Sequence, residues 1–194
     1  MTRRFVVLAA AAAALLTGAS QAQAQNFFGT PTPDMFNGGS YFGGGGAGPI
    51  PRTAVYYPTG YAPGTIVINT AERRLYLIQP GGTALRYGIG VGRDGFRWSG
   101  VHRVSAKREW PGWTPPAEMR RRRPDLPVHM AGGIENPLGA RALYLGSTLY
   151  RIHGSNEPET IGQAVSSGCF RMTNEDVVDL YNRVPVGATV IVKN

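Results

Sequence analysis

The stretch IHGSNEPETIGQAVSSGCFRM, residues 152–172, holds the only cysteine of this 194-residue chain and one of its three histidines. The residues before it, ARALYLGSTLYRIHG, read as a hairpin turning at Gly146-Ser147. Behind it, Thr173 is placed to cap a helix, with Asp176 at the third position beyond. Val177, Leu180, Tyr181 and Val184 then recur at helical spacing. Pro185 and Gly187 stop that helix, and ATVIV reads as a last strand. The thiol therefore sits in a turn between a hairpin and a helix.

Working upstream, TIVIN, RLYLI, ALRYGIGV and RWSGVHRVSAKREW are all strand-like, rich in β-branched and aromatic residues and separated by glycine-bearing breaks. PGWTPPAEMRRRRPDLP carries too many prolines for a regular strand and reads as a long surface excursion. Many short strands with one or two short helices predict a mostly β domain around a packed sheet core.

Composition agrees. The chain has 27 glycines and 15 prolines but only 16% charged residues, which favours turns and short strands. Residues 1–24 read as a cleaved signal peptide. Arg3 and Arg4 precede an apolar run from Phe5 to Leu16 that is too short to span a bilayer, and Ala22 and Ala24 form an A-x-A cleavage signature. Residues 25–63, dominated by glycine, proline and isolated aromatics, read as a flexible tether. Residues 64–194 carry the strand and helix patterns and form the expected folded domain. No membrane span is expected after signal cleavage, and the localisation is the periplasm or cell envelope. The net charge of +8 then suits an anionic envelope polymer better than nucleic acid.

An unpaired thiol in an oxidising compartment asks for a reason. Two readings of Cys169 stand on residue types alone: a small buried apolar residue, or a nucleophile served by a histidine base. His153, sixteen positions upstream at a strand end, is placed to be that base. Gly168 permits a tight turn that aims backbone N–H groups at a reacting carbonyl, and Arg171 suits a substrate carboxylate. His102 and His129 have no partner nucleophile nearby and read as structural.

The run His153-Gly154-Ser155-Asn156, its spacing to Ser166-Ser167-Gly168-Cys169, and the following Arg171-Met172 and Asn174-Glu175-Asp176 resemble the L,D-transpeptidase catalytic domain of the YkuD type. TIVIN…RLYLI…YGIGVGRDGF, PGWTPP and GGIENPLGARALYLG resemble the same family in the same order. One departure is that Ser167 stands where the family's signature has a histidine.

The resemblance implies a β-sandwich or barrel-like catalytic domain that needs no cofactor and no metal. It implies a cysteine attack on the peptidoglycan tetrapeptide stem, with release of D-Ala. Transfer to an amine then makes a 3-3 crosslink or anchors an envelope protein. Cys169 is implied as nucleophile, His153 as base, and the Gly154 carbonyl as the group orienting the imidazole. The amides of Ser167, Gly168 and Cys169 are implied as an oxyanion hole. Arg171, Asn156, Ser166, Trp110, Trp113, Met130, Gly132 and Gly133 are expected along the substrate groove. A carboxypeptidase giving the acyl group to water, and a noncatalytic peptidoglycan-binding module of the same fold, are the alternatives. The thiol is expected to be partly exposed, with its acidity set by His153.

Overall fold

The structure is a computed structural model and describes residues 50–194; the signal-peptide expectation and most of the tether expectation lie outside the described residues. A meander opens the domain: β2 (Ile66–Asn69), β3 (Arg74–Gln79) and β4 (Thr83–Gly88) pair antiparallel in sequence order. Preceding them is β1 (Thr53–Tyr56), which pairs antiparallel with β4. The long β6 (Gly100–Glu109) follows the short β5 (Val91–Gly92). A six-residue helix, α1 (Ala117–Arg122), interrupts the proline-rich excursion. The expected hairpin is β7 (Arg141–Leu145) with β8 (Arg151–His153). Then come β9 (Ala164–Ser166), β10 (Phe170–Arg171), α2 (Asn174–Arg183) and β11 (Thr189–Lys193).

The main sheet runs β1-β4-β3-β2-β11-β6-β7-β8-β10, and β5 pairs with β9 alone. The sheet curls because β6 changes partner along its length. Gly100 to Arg103 pair with β11, whereas Val104 to Glu109 pair with β7. A register shift between Val104 and Ala106 marks the bend, as bulges bend and twist the strand that carries them.

Inside the curl, Ile66, Ile68, Leu75, Leu77, Val190 and Val192 meet Val177 and Leu180 of α2. Fully burying one such side chain contributes about 1.5–3 kcal/mol. Two features anticipated from sequence are present in α2. Thr173 Oγ1 accepts from the Asp176 amide at 3.1 Å, and Val177 and Leu180 have no exposed surface.

The tether expectation is wrong for its described part. On the sheet's other face, Val67, Tyr76, Ile78 and Ala84 form a second cluster covered by Val55 and Tyr57. The Tyr57 and Tyr76 rings stack at 4.6 Å. Arg52 bridges Asp176 and Asp179 of α2 at 3.3 and 3.2 Å. Residues 52–57 thus close the domain. None of the described helices is long and apolar enough to cross a membrane.

Candidate active site

The parallel pairing of β8 and β10 builds the site. Ile152 sits opposite Phe170, and both are buried in the core. Side chains alternate across a strand, so the residues on either side of that pair face away from the core together. These are Arg151 and His153 on one strand, Cys169 and Arg171 on the other. All four line a single cavity of about 660 Å³, a size suited to a small-molecule or peptide-end ligand.

His153 is 4% exposed. Its Nδ1 lies 2.6 Å from the Gly154 carbonyl oxygen. A carbonyl only accepts, so Nδ1 carries the proton and Nε2 keeps its lone pair. Burial holds the imidazole down to a pKa of about 3, and Arg171 and Arg151 add to the depression against the opposing Gly154 bond. The ring is neutral at pH 7. Gly154 must be glycine for a packing reason: a Cβ would collide with Asn174 Oδ1 and lie 3.0 Å from the Ala140 amide.

Cys169 is a free, partly exposed cysteine, as expected. Burial of the sulfur pushes its pKa up, and Arg151 and then Arg171 pull against that rise. In the resting site the groups acting on the thiol are burial and these two arginines. Sγ lies 3.9 Å from the Leu149 carbonyl, a weak acceptor for the neutral thiol. Resting thiol and resting imidazole are both uncharged.

The turn that presents Cys169 is fixed at several points. Ser166 Oγ accepts from the Gly168 amide at 3.1 Å and donates to the Cys169 carbonyl at 2.6 Å. The Gly168 carbonyl accepts from Trp98 Nε1 at 2.8 Å, and Trp98 stacks on Tyr150 at 4.5 Å. Gly168 has φ +108°, and a Cβ there would lie 2.5 Å from the Tyr150 ring. Two expectations change. Ser166 lines the cavity but is a pin of the turn, and the Gly168 amide is already bonded, so it is removed from the oxyanion set.

Of the expected groove residues, Trp113 and Arg171 line the cavity, as does Ser167. Arg171 donates to Glu157 at 2.8 Å, so its charge is already paired. Trp110, Met130, Gly132, Gly133 and Asn156 do not line it. Trp110 is 41% exposed. Met130 pairs through its backbone with Trp113 at 2.8 Å, and a Cβ on Gly132 would collide with the Trp110 carbonyl. Asn156 donates to the Glu135 carbonyl at 3.1 Å. Sequence reasoning missed Trp98, Tyr150 and Arg151. The signal available for the last two was their position on the same predicted strand as His153.

The sequence matches the family described as the L,D-transpeptidase catalytic domain (YkuD) over residues 63–192. The chain belongs to this family. The probable L,D-transpeptidase ErfK/SrfK of Escherichia coli is 41% identical over 134 residues, covering 64% of this chain and 42% of that relative. The chain thus spans less than half the length of this curated relative. A crystal structure from Brucella melitensis, described as a probable carnitine operon oxidoreductase caia, is 48% identical with a TM-score of 0.51, over 75% of this chain and 94% of that one. The catalytic domain of an E. faecium L,D-transpeptidase, solved acylated by ertapenem, has a TM-score of 0.51 at 20% identity, over 66% of this chain and 95% of that one. This last likeness shows the shared L,D-transpeptidase fold.

Proposed function

We propose that this chain is a peptidoglycan L,D-transpeptidase acting in the periplasm, exported by residues 1–24. Its substrates are the donor tetrapeptide stem and an acceptor amine from a second stem or an envelope protein. The observation that carries the reading is the shared face of β8 and β10, with Cys169 and a tautomer-fixed His153 at one cavity.

The Cys169 sulfur attacks the carbonyl carbon of the bond between the diamino acid and the terminal D-Ala. Its proton passes to His153 Nε2, the free lone pair of the ring. Collapse of the tetrahedral intermediate breaks the C–N bond, and His153 returns the proton to the departing D-Ala amine. The acceptor amine then attacks the thioester, His153 takes its proton, and the thiol re-forms. The amides of Ser167 and Cys169, which have no loop or side-chain acceptor among the described residues, are the donors for the oxyanion. A neutral imidazole suits the first step, because a base must arrive unprotonated. The chemistry uses only side chains and main-chain amides.

Purified muropeptides incubated with the protein and read by mass spectrometry test this. Crosslinked dimers that vanish in Cys169→Ala support transfer. Shortened monomers alone would make it a carboxypeptidase, and no change with wild type would leave only a binding role. A carbapenem such as ertapenem should add covalently to wild type and not to Cys169→Ala, seen as an intact-mass shift.

A further inference from the structure

We propose that Arg151 is the charge partner of the Cys169 sulfur, the cation against which the ionised nucleophile is held. The inference deepens the proposed function and rests on its reading of Cys169 as nucleophile.

Strand register comes first. Phe170 pairs with Ile152 and Arg171 with His153. One residue back along both strands, Cys169 falls beside Arg151, on the face turned away from the core. Both line the same cavity. The Arg151 charge pulls the thiol's pKa down against the rise that burial causes.

Availability of charge comes second. The charged groups facing the thiol are Arg151 and His153 from β8, Arg171 from β10, and Glu118, Arg120 and Arg122 from α1. Arg171 is paired with Glu157, and Arg122 with Glu118. His153 is held neutral. Arg151 and Arg120 have no carboxylate partner among the described residues, and the Nε of each is buried without any partner; of the two, Arg151 is the one that the strand register places beside Cys169. Its guanidinium otherwise rests 5.3 Å from the Tyr144 ring, a contact that aims it without neutralising it. A buried donor with no partner is costly to keep, and an anion appearing at the neighbouring sulfur would satisfy it.

The neutral thiol has only the Leu149 carbonyl as acceptor, and a carbonyl favours S–H over the thiolate. When the sulfur gives its proton to His153 Nε2, the negative charge appears next to an unpaired guanidinium. Arg151 stays protonated throughout and exchanges no atoms. It is the polar group that gains an interaction at that moment, which is the kind of contact that lowers a barrier.

The test is the pH dependence of iodoacetamide alkylation of Cys169 in the full chain, followed by intact mass with Cys169→Ser as blank. Arg151→Met and Arg151→Gln should move the profile to higher pH by about one unit, so that alkylation at pH 7 slows about tenfold. Arg151→Lys should recover most of that loss, because it restores the charge. Arg171→Gln should shift the profile less, since Arg171 is already paired. Thermal unfolding checks each variant, and the two neutral substitutions differ enough in polarity that one folded protein suffices. A folded neutral variant whose profile superimposes on wild type overturns the role of Arg151 and leaves the nucleophile in place. A wild-type Cys169 that does not alkylate at all overturns both.

Discussion

The two walls of the cavity are built differently. The wall carrying Cys169 is held from every side: by Ser166 within the turn, by Trp98 on the Gly168 carbonyl, by Tyr150 under the glycine, and by Phe170 in the core. The facing wall is α1, which buries none of its residues and has no side-chain cap at Pro116. Its ion pair, Arg122 with Glu118, lies on the surface. One wall fixes the turn that carries Cys169 through several hydrogen bonds and close contacts. The other has few contacts of this kind. The two walls thus differ in how many internal contacts hold them, and with that in local stability.

The sharpest way to break this contrast is Gly168→Ala. The positive φ costs about 1–2 kcal/mol for an L-residue, and the Tyr150 contact about 1–3 kcal/mol more. Activity should fall below detection and the melting temperature should drop; retained donor turnover would show that the turn relaxes. Next is Ser166→Ala. It removes two hydrogen bonds from the turn, so kcat on muropeptides should fall about tenfold to a hundredfold through misplacement of the sulfur. The fold should survive, with a loss of about 1–3 kcal/mol in denaturant titration.

A third comparison is in the acid limb. His153 is held near a pKa of about 3 in the fold, well below the ordinary 6.5. The unfolded chain therefore takes up this proton first, and stability contributed above pH 6.5 is lost as pH falls from there toward 3. Asp176, raised to about 6 by burial, acts the other way over part of the range. The difference between wild type and His153→Gln cancels Asp176. That difference in melting temperature should change between pH 7 and pH 5, with wild type losing more. On the loose wall, Arg121→Ala should alter stability by no more than about 0.5 kcal/mol and leave alkylation of Cys169 as in wild type. A large effect there would mean that α1 is as fixed as the wall it faces.

The same contrast explains what was legible in the sequence. Periodicity disclosed β2, β3, the β7–β8 hairpin and α2, since each shows its pattern within its own residues. Thr173 could be named as the cap because capping is local. β1 was not legible. TAVY is four residues between prolines and glycines, and its partner β4 lies beyond two other strands. Cys169 and His153 stood out by residue type, and Gly154 came from the family resemblance. Trp98, Tyr150 and Arg151 owe their roles to which residue falls opposite which across paired strands. One sequence does not carry that register. Trp110, Met130, Gly132, Gly133 and Asn156, expected along the groove by resemblance, do not line this cavity.

The position of β11 has a consequence for the order of events in time. It lies in the middle of the sheet, parallel to β2 and antiparallel to β6, and Val190 and Val192 complete the core. A chain emerging N-terminus first therefore has a meander and a hairpin with facing open edges but nothing to join them until residues 189–193 arrive. Such distant pairings form slowly, because loop closure comes before any contact that rewards it. Until then the β8–β10 pairing that places thiol beside arginine has no finished core behind it. The turn that carries Cys169 is thus completed among the last things, once residues 189–193 have arrived.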